Sequence, residues 1–232
     1  MRYPILKNLG ITLLTSWMLF AVATVFAAPG FSEMNNVLFD SAHLDNIDQP
    51  GVLTYEYEKE SVIDDSREDT IKVSVSNIRN TGRRDLAFEF FTGKHKRPYE
   101  AMENQRGNGV FVLFLEFDVH EMKRVTGGEW RYFQRKLRWS FAQGAQKKTV
   151  NIDYNGETVK GTQYIVRPYI NDPKNKRYKL YAGKYYIFTL CESIPGEIYQ
   201  VRTVVPDGDE WSEGEPTLVD ESITFAGFNE GA

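Results

Sequence analysis

Three segments in the first half of the chain alternate apolar and polar residues with a period of two, and that alternation is the strongest limit on its fold. Leu53, Tyr55 and Tyr57 interleave with Thr54, Glu56 and Glu58. Ile71, Val73 and Val75 interleave with Lys72, Ser74 and Ser76, and Leu86, Phe88 and Phe90 with Asp85, Ala87 and Glu89. Successive strand side chains point to opposite faces, so these segments predict strands with one buried and one solvated face, the habit of antiparallel sheet. The second half continues in kind. Val150, Ile152 and Tyr154 lead into Asn155-Gly156, a two-residue hairpin signal, and 159–169 returns. Residues 178–190, 198–205 and 218–225 read as further strands, with Pro195-Gly196 set for a type II turn. Acidic loops are expected at 64–69 and 207–215.

The middle of the chain breaks this pattern. Residues 110–117 are apolar at nearly every position and predict a strand covered on both faces. Asp118 and Glu121 have capping-box spacing, which predicts a short helical turn reaching Val125 before Thr126-Gly127-Gly128 interrupts it. A second helix is expected from about Glu129 to Gln143, with Gly144 ending it. Ser32 can cap a short N-terminal helix within 32–48, which Pro50-Gly51 stops. The fold class is therefore α+β: one domain over 28–232, a large curved antiparallel sheet, a helical insertion at about 118–143 and a short N-terminal helix.

Residues 1–27 carry the anatomy of a Sec-type signal peptide. Arg2 and Lys7 precede an uncharged run from Leu9 to Phe26, and Val25 and Ala27 suit the −3 and −1 positions of a cut before Ala28. The 18-residue run is also just long enough to cross a bilayer, so a retained anchor is the alternative. Thr12, Thr15, Ser16 and Thr24 weaken the run and favour cleavage, hence a periplasmic or secreted product without a transmembrane anchor. Removing 27 of 232 residues leaves 205, and losing Arg2 and Lys7 leaves 26 basic residues against 32 acidic ones, a net charge of −6. That balance argues against a nucleic-acid partner. The lone cysteine, Cys191, excludes an internal disulfide, and its place at the end of an apolar strand predicts a buried thiol.

Catalytic and metal motifs are missing. His43, His95 and His120 lack ligand spacing, and there is no His-Glu-x-x-His, Cys-x-x-Cys, calcium loop, Gly-x-Ser-x-Gly or phosphate loop. No cofactor or metal is implied. The expectation is a non-enzymatic protein, with an unrecognised hydrolase ranked last.

Placed at 100° per residue, the helix around 129–143 separates into three faces. Trp130, Phe133, Leu137 and Phe141 form an apolar stripe, Arg131, Arg135 and Arg138 a basic one, and Tyr132 and Trp139 stand together roughly opposite the core. The aromatic pair is either covered by a neighbouring segment or forms, with the arginines, a surface for an anionic partner.

Phe114-Leu115-Glu116-Phe117-Asp118-Val119-x-x-Met122, Thr126-Gly127-Gly128 and Tyr132-Phe133, taken with Lys184-Tyr185-Tyr186-x-Phe188 and Ile194-Pro195-Gly196, resemble a family of uncharacterised exported proteobacterial proteins. The likeness covers most of the mature chain and implies export, but no activity. The order of elements is also similar to the periplasmic lipoprotein-carrier architecture, a half-open barrel with a helical lid that encloses acyl chains, an analogy of fold alone. It implies an amphipathic or acyl-bearing ligand, a lipid or lipoprotein, between the sheet and the helices of 118–143. Phe114, Phe117, Met122, Trp130, Phe133, Leu137 and Phe141 are the candidate lining, with ordinary core as their alternative role. The second expectation is an envelope assembly factor with a closed core, binding a protein partner through Arg131, Tyr132, Arg135, Arg138 and Trp139.

Overall fold

The computed structural model of the chain describes residues 32–231. The export signal and the cleavage before Ala28 lie outside the described residues. Nine strands form one antiparallel sheet that does not close: β1 (Gly51–Ser61), β2 (Arg67–Ser76), β3 (Arg84–Phe90), β4 (Met102–Gln105), β5 (Gln146–Tyr154), β6 (Glu157–Val166), β7 (Tyr185–Leu190), β8 (Ile198–Pro206) and β9 (Thr217–Glu230). Their order across the sheet is β4-β3-β2-β1-β9-β8-β7-β6-β5. Each half of the chain builds one wing of hairpins, and β1 pairs with β9 along the centre, with a bulge between Thr54 and Tyr55.

The alternation seen in the sequence is the alternation of burial. Leu53, Tyr55, Tyr57, Ile71, Val73, Val75, Leu86 and Phe90 are all buried on the face that receives the helices. Asn155 and Gly156 both adopt positive φ, 53° and 80°, which the two-residue turn between β5 and β6 requires. At the other turn, the Glu197 amide donates to the Ile194 carbonyl at 3.1 Å across Pro195-Gly196, and Gly196 has φ 75°. β7 is buried at every position. Tyr186 and Phe188 belong to the main core, while Tyr185 and Ile187 form a second small cluster with Val204 under Trp211. Trp211 belongs to the acidic 207–215 loop, whose backbone amide donates to the Tyr185 hydroxyl.

Two expectations in the middle of the chain are corrected. Residues 110–117 are not a strand but the first half of a long helix, α2 (Val110–Thr126), preceded in the chain by the short α1 (Glu33–Asn35). One side of α2 meets the sheet and another meets α3 (Trp130–Gln143), so an apolar run without a clear stripe is what a helix covered on two sides shows. Asp118 is consequently no cap; it sits in the middle of α2 with none of its surface exposed. The real start uses Asn108, whose side-chain oxygen accepts from the Val110 amide at 3.2 Å. Gly127 ends α2 at φ 68°, the left-handed position where glycine has no Cβ penalty. Smaller differences concern edges. β7 starts at Tyr185 because residues Asn175–Tyr181 form a 3₁₀ segment, and the N-terminal helix reaches only Asp40, its last five residues in π-helical form. Asp64, at the start of the expected acidic loop, is held by Lys59 and Arg124.

Aromatic rings join the layers. Phe117 of α2 meets Phe91 at 5.1 Å, Phe133 of α3 meets Tyr169 at 5.6 Å, and Phe141 meets Phe188 at 5.5 Å. Each such buried ring contributes on the order of 1.5–3 kcal/mol in transfer terms. No helix among the described residues is long and apolar enough to cross a membrane.

Candidate functional site

The N-terminal segment, α2 and α3 enclose a groove on the outer side of the helical layer. Ser32 caps α1 by accepting from the Asn35 amide at 3.1 Å, and its hydroxyl donates to the Phe141 carbonyl near the end of α3. Glu33 is held by Lys147 of β5 and by the Tyr164 hydroxyl of β6. So anchored, the segment lays Phe39 over α2 and α3, edge-on to Phe111 at 5.4 Å and tilted to Phe141 at 5.8 Å. The groove has a volume of about 550 Å³. Val112, Leu115 and Val119 of α2 face Leu137 and Phe141 of α3 across it, with Phe39 at its end. Its rim is polar, from Asn35, Glu116, Gln134 and Arg138. Phe39 and Val112 keep 43% and 37% of their surface exposed, and here they line one groove together rather than standing singly.

The seven lining candidates divide. Leu137 and Phe141 form part of this groove. Phe114, Met122 and Phe133 point instead into the closed core, at 0%, 1% and 1% exposure. Phe117 also packs in that core and shows an edge to a smaller pocket beside β1 and β2. Trp130 is half-buried at the edge of the core, where it stacks on His120 at 5.1 Å and has the Arg131 guanidinium 4.7 Å from its ring. The helical lid therefore lies directly on the sheet, and the room for a ligand is on the lid's outer surface.

The partner-surface candidates divide as well. Arg131, Arg135, Arg138 and Trp139 are exposed, Trp139 to 59%. Tyr132 shares a side of α3 with Trp139 but is covered there. Its ring is half-buried, and its hydroxyl reaches both oxygens of Asp172 at 2.6 Å. Burial and that carboxylate push the Tyr132 hydroxyl up to about 12. Burial alone would raise the Asp172 carboxyl, but hydrogen bonds from Tyr132, the Lys174 amide and others outweigh it and hold it down at about 2. Lys136 completes the cluster at 3.1 Å from Asp172.

A buried polar network, which the sequence reading missed, lies between α2 and the sheet. Asp118 pairs with Lys184 and accepts from the Tyr186 hydroxyl at 2.6 Å. Since Tyr186 donates to Asp118, the 3.0 Å contact between Tyr169 and Tyr186 has Tyr169 as donor. Lys59, Glu221, Thr203 and Tyr186 are successive cross-strand neighbours on β1, β9, β8 and β7. Glu221 accepts from the Tyr57 hydroxyl, and burial raises its carboxyl above the usual range. Thr203 Oγ1 is buried without a partner among the described residues. Asp118, Lys184, Tyr186 and Glu221 line neither the groove nor the hollow beside Trp139, and they order the core rather than presenting a reactive atom.

His43 is fixed in one tautomer by similar logic. Its Nδ1 accepts from the Asn108 amide at 3.2 Å, so Nε2 carries the hydrogen that it donates to the Val37 carbonyl at 2.7 Å. Cys191 is a buried free thiol at 2% exposure, as its strand-end position predicts. Among the described residues, no three His, Cys, Asp or Glu side chains converge as metal ligands. No protein-family model matches the chain, and no curated protein matches it.

Proposed function

We propose that the protein is an exported, non-enzymatic binding protein that holds one amphipathic acyl chain in the groove between its N-terminal segment, α2 and α3. The observation that carries this reading is the 550 Å³ apolar groove with a polar rim, within the roughly 300–1,000 Å³ range of small-molecule pockets. Val112, Leu115, Val119, Leu137 and Phe141 suit a hydrocarbon tail, since burying each methylene is worth about 0.8 kcal/mol. Arg138 on the rim forms no ion pair among the described residues and suits an anionic head. Native mass spectrometry of protein purified from the periplasm tests the reading. The expected result is an adduct with the mass of an acyl-bearing lipid, absent from Val112→Arg. Protein that carries no such adduct and binds no acyl probe, or a Val112→Arg variant that binds one equally well, refutes it.

A second reading rests on Trp139. Its ring, Ile170 at 37% exposure and Lys136 border a hollow of about 250 Å³ on the far side of α3. Exposed Trp beside cations suits an envelope protein partner. Loss of partner capture in Trp139→Ala with acyl binding intact would favour this reading over the first.

A further inference from the structure

A further pocket, of about 210 Å³, opens on the opposite side of α2 from the groove, between the ends of β1 and β2, the segment after β3, and α2 itself. Its walls are Tyr57 and Phe117, and its lining sets Lys59, Arg67, Arg97 and Arg124 against Asp64, Asp65 and Glu121. Lys59 and Arg124 are spoken for by Asp64, and Arg124 also by Glu121 at 2.8 Å. Arg67 and Arg97 are different. The Arg67 guanidinium is stacked against Tyr57 at 4.7 Å and Phe91 at 4.2 Å, while its nearest carboxylate, Asp69, is 3.9 Å away, beyond hydrogen-bond reach. Asp69 spends one oxygen on the Thr92 amide and hydroxyl at 2.9 Å. Arg97 lies over Phe117 at 5.9 Å and forms no ion pair among the described residues. Its backbone is fixed by the 2.8 Å bond from its amide to the Phe90 carbonyl.

Phe91 reaches its place under Arg67 with φ 63°, a conformation that a bulky residue rarely adopts. The surrounding chain therefore holds that ring against its own backbone preference. A guanidinium packed over two adjoining rings, whose own centroids are 4.6 Å apart, has lost rotamer freedom before any ligand arrives, and its donor fork suits a carboxylate or phosphate. Asp64, Asp65 and Glu121 on the same pocket limit the negative charge that it tolerates. That balance favours a single negative charge over two.

We propose that this pocket is a binding site for a small monoanionic carboxylate with a flat apolar body, its carboxylate on Arg67 and Arg97 and its body against Tyr57 and Phe117. The volume is below that of pockets enclosing drug-sized ligands and suits one ring with one acid group. The site is independent of the acyl groove, whose α2 residues Val112, Leu115 and Val119 face the other way.

Calorimetric titration of the mature protein with benzoate, benzyl alcohol and phenyl phosphate tests the proposal. Benzoate is expected to bind at least tenfold tighter than its neutral isostere, and more weakly as salt rises. Arg67→Gln and Arg97→Gln are each expected to weaken it tenfold or more. Arg97 is exposed, so Arg97→Gln keeps the test decisive even where Arg67→Gln disturbs the stacked rings. Val112→Arg, in the acyl groove, should leave benzoate binding unchanged. Benzoate no better than benzyl alcohol, undiminished binding by Arg97→Gln, or loss in Val112→Arg overturns the site, and phenyl phosphate binding tighter than benzoate overturns the monoanion.

Discussion

Asp118 in the middle of α2 and Lys184, the residue before β7, form an ion pair inside the protein, their side chains 0% and 5% exposed. Bringing two charges out of water costs several kcal/mol each, so the pair persists through its mutual attraction and the added hydrogen bond from Tyr186. It ties the helical layer to the sheet at one point and in one register.

Removing half of that pair should be far worse than removing all of it. Asp118→Asn leaves the Lys184 ammonium buried without its counter-charge, an expected loss of about 3–5 kcal/mol. Asp118→Leu combined with Lys184→Met should cost much less than the single change. Urea unfolding of the three proteins measures this, and a double variant as unstable as the single one would show that the network's shape, not its charge, matters.

Glu221 should make the protein less stable as pH rises. Burial raises its carboxyl in the folded state above the ordinary value of about 4.3, so the folded protein binds the proton more tightly than the unfolded chain. That contribution is complete below the unfolded value and is lost as pH climbs through the raised one. Glu221→Gln keeps an acceptor for Tyr57 and cannot ionise, so its stability relative to the parent should grow upward from about pH 4.3. Parallel unfolding curves at every pH would contradict the raised carboxyl.

The opposite slope is expected from His43. Burial lowers its imidazole below the usual value of about 6.5, and protonating Nδ1 would also break the bond from the Asn108 amide. Its contribution is present above that value and is lost as pH falls through the lowered one. The parent should therefore lose stability on acidification below about pH 6.5, and His43→Gln should lose less over the same range. Equal slopes in thermal melts across that range would remove His43 from the account.

On α3, two neighbours should behave as opposites. Leu137 is 3% exposed, and Leu137→Ala should cost about 2–5 kcal/mol through lost burial and a cavity. Trp139 is 59% exposed, and Trp139→Ala should leave the unfolding midpoint nearly unchanged. Comparable destabilisation by both would place Trp139 in the core.

The strands were legible because one face of the sheet is wet and the other dry, so period two survives in Leu53, Tyr55 and Tyr57 as it does in Ile71, Val73 and Val75. α3 was legible for the same reason, with Phe133, Leu137 and Phe141 buried and Arg131, Arg135 and Arg138 exposed. α2 was not, because contact on two sides erases the stripe. Length held the missing signal: no Gly or Pro falls between Gly109 and Gly127, too long an interval for a strand of ordinary length. Read as a helix, Phe111, Phe114, Asp118 and Met122 share one side, and a carboxylate there demands a buried cation. That the partner is Lys184 depends on tertiary placement that no local pattern encodes. The groove on the outer side of α2 and α3 was not legible, since the sequence shows which helix faces are apolar but not how tightly they close on the sheet.

The pairing of β1 with β9 also bears on when this chain can fold. Tyr57 and Glu221, bonded across that seam, are 164 residues apart in sequence. The two wings of hairpins can form locally, but the strand that joins them, β9, comes after the other eight described strands in sequence. Contacts of such long separation are closed late and slowly, because the entropy of the intervening loop must be met first. A chain emerging end-on through a narrow channel would thus remain uncommitted until residues 217–230 are free, with β1 and β8 exposing open edges to any strand-binding helper in the interval.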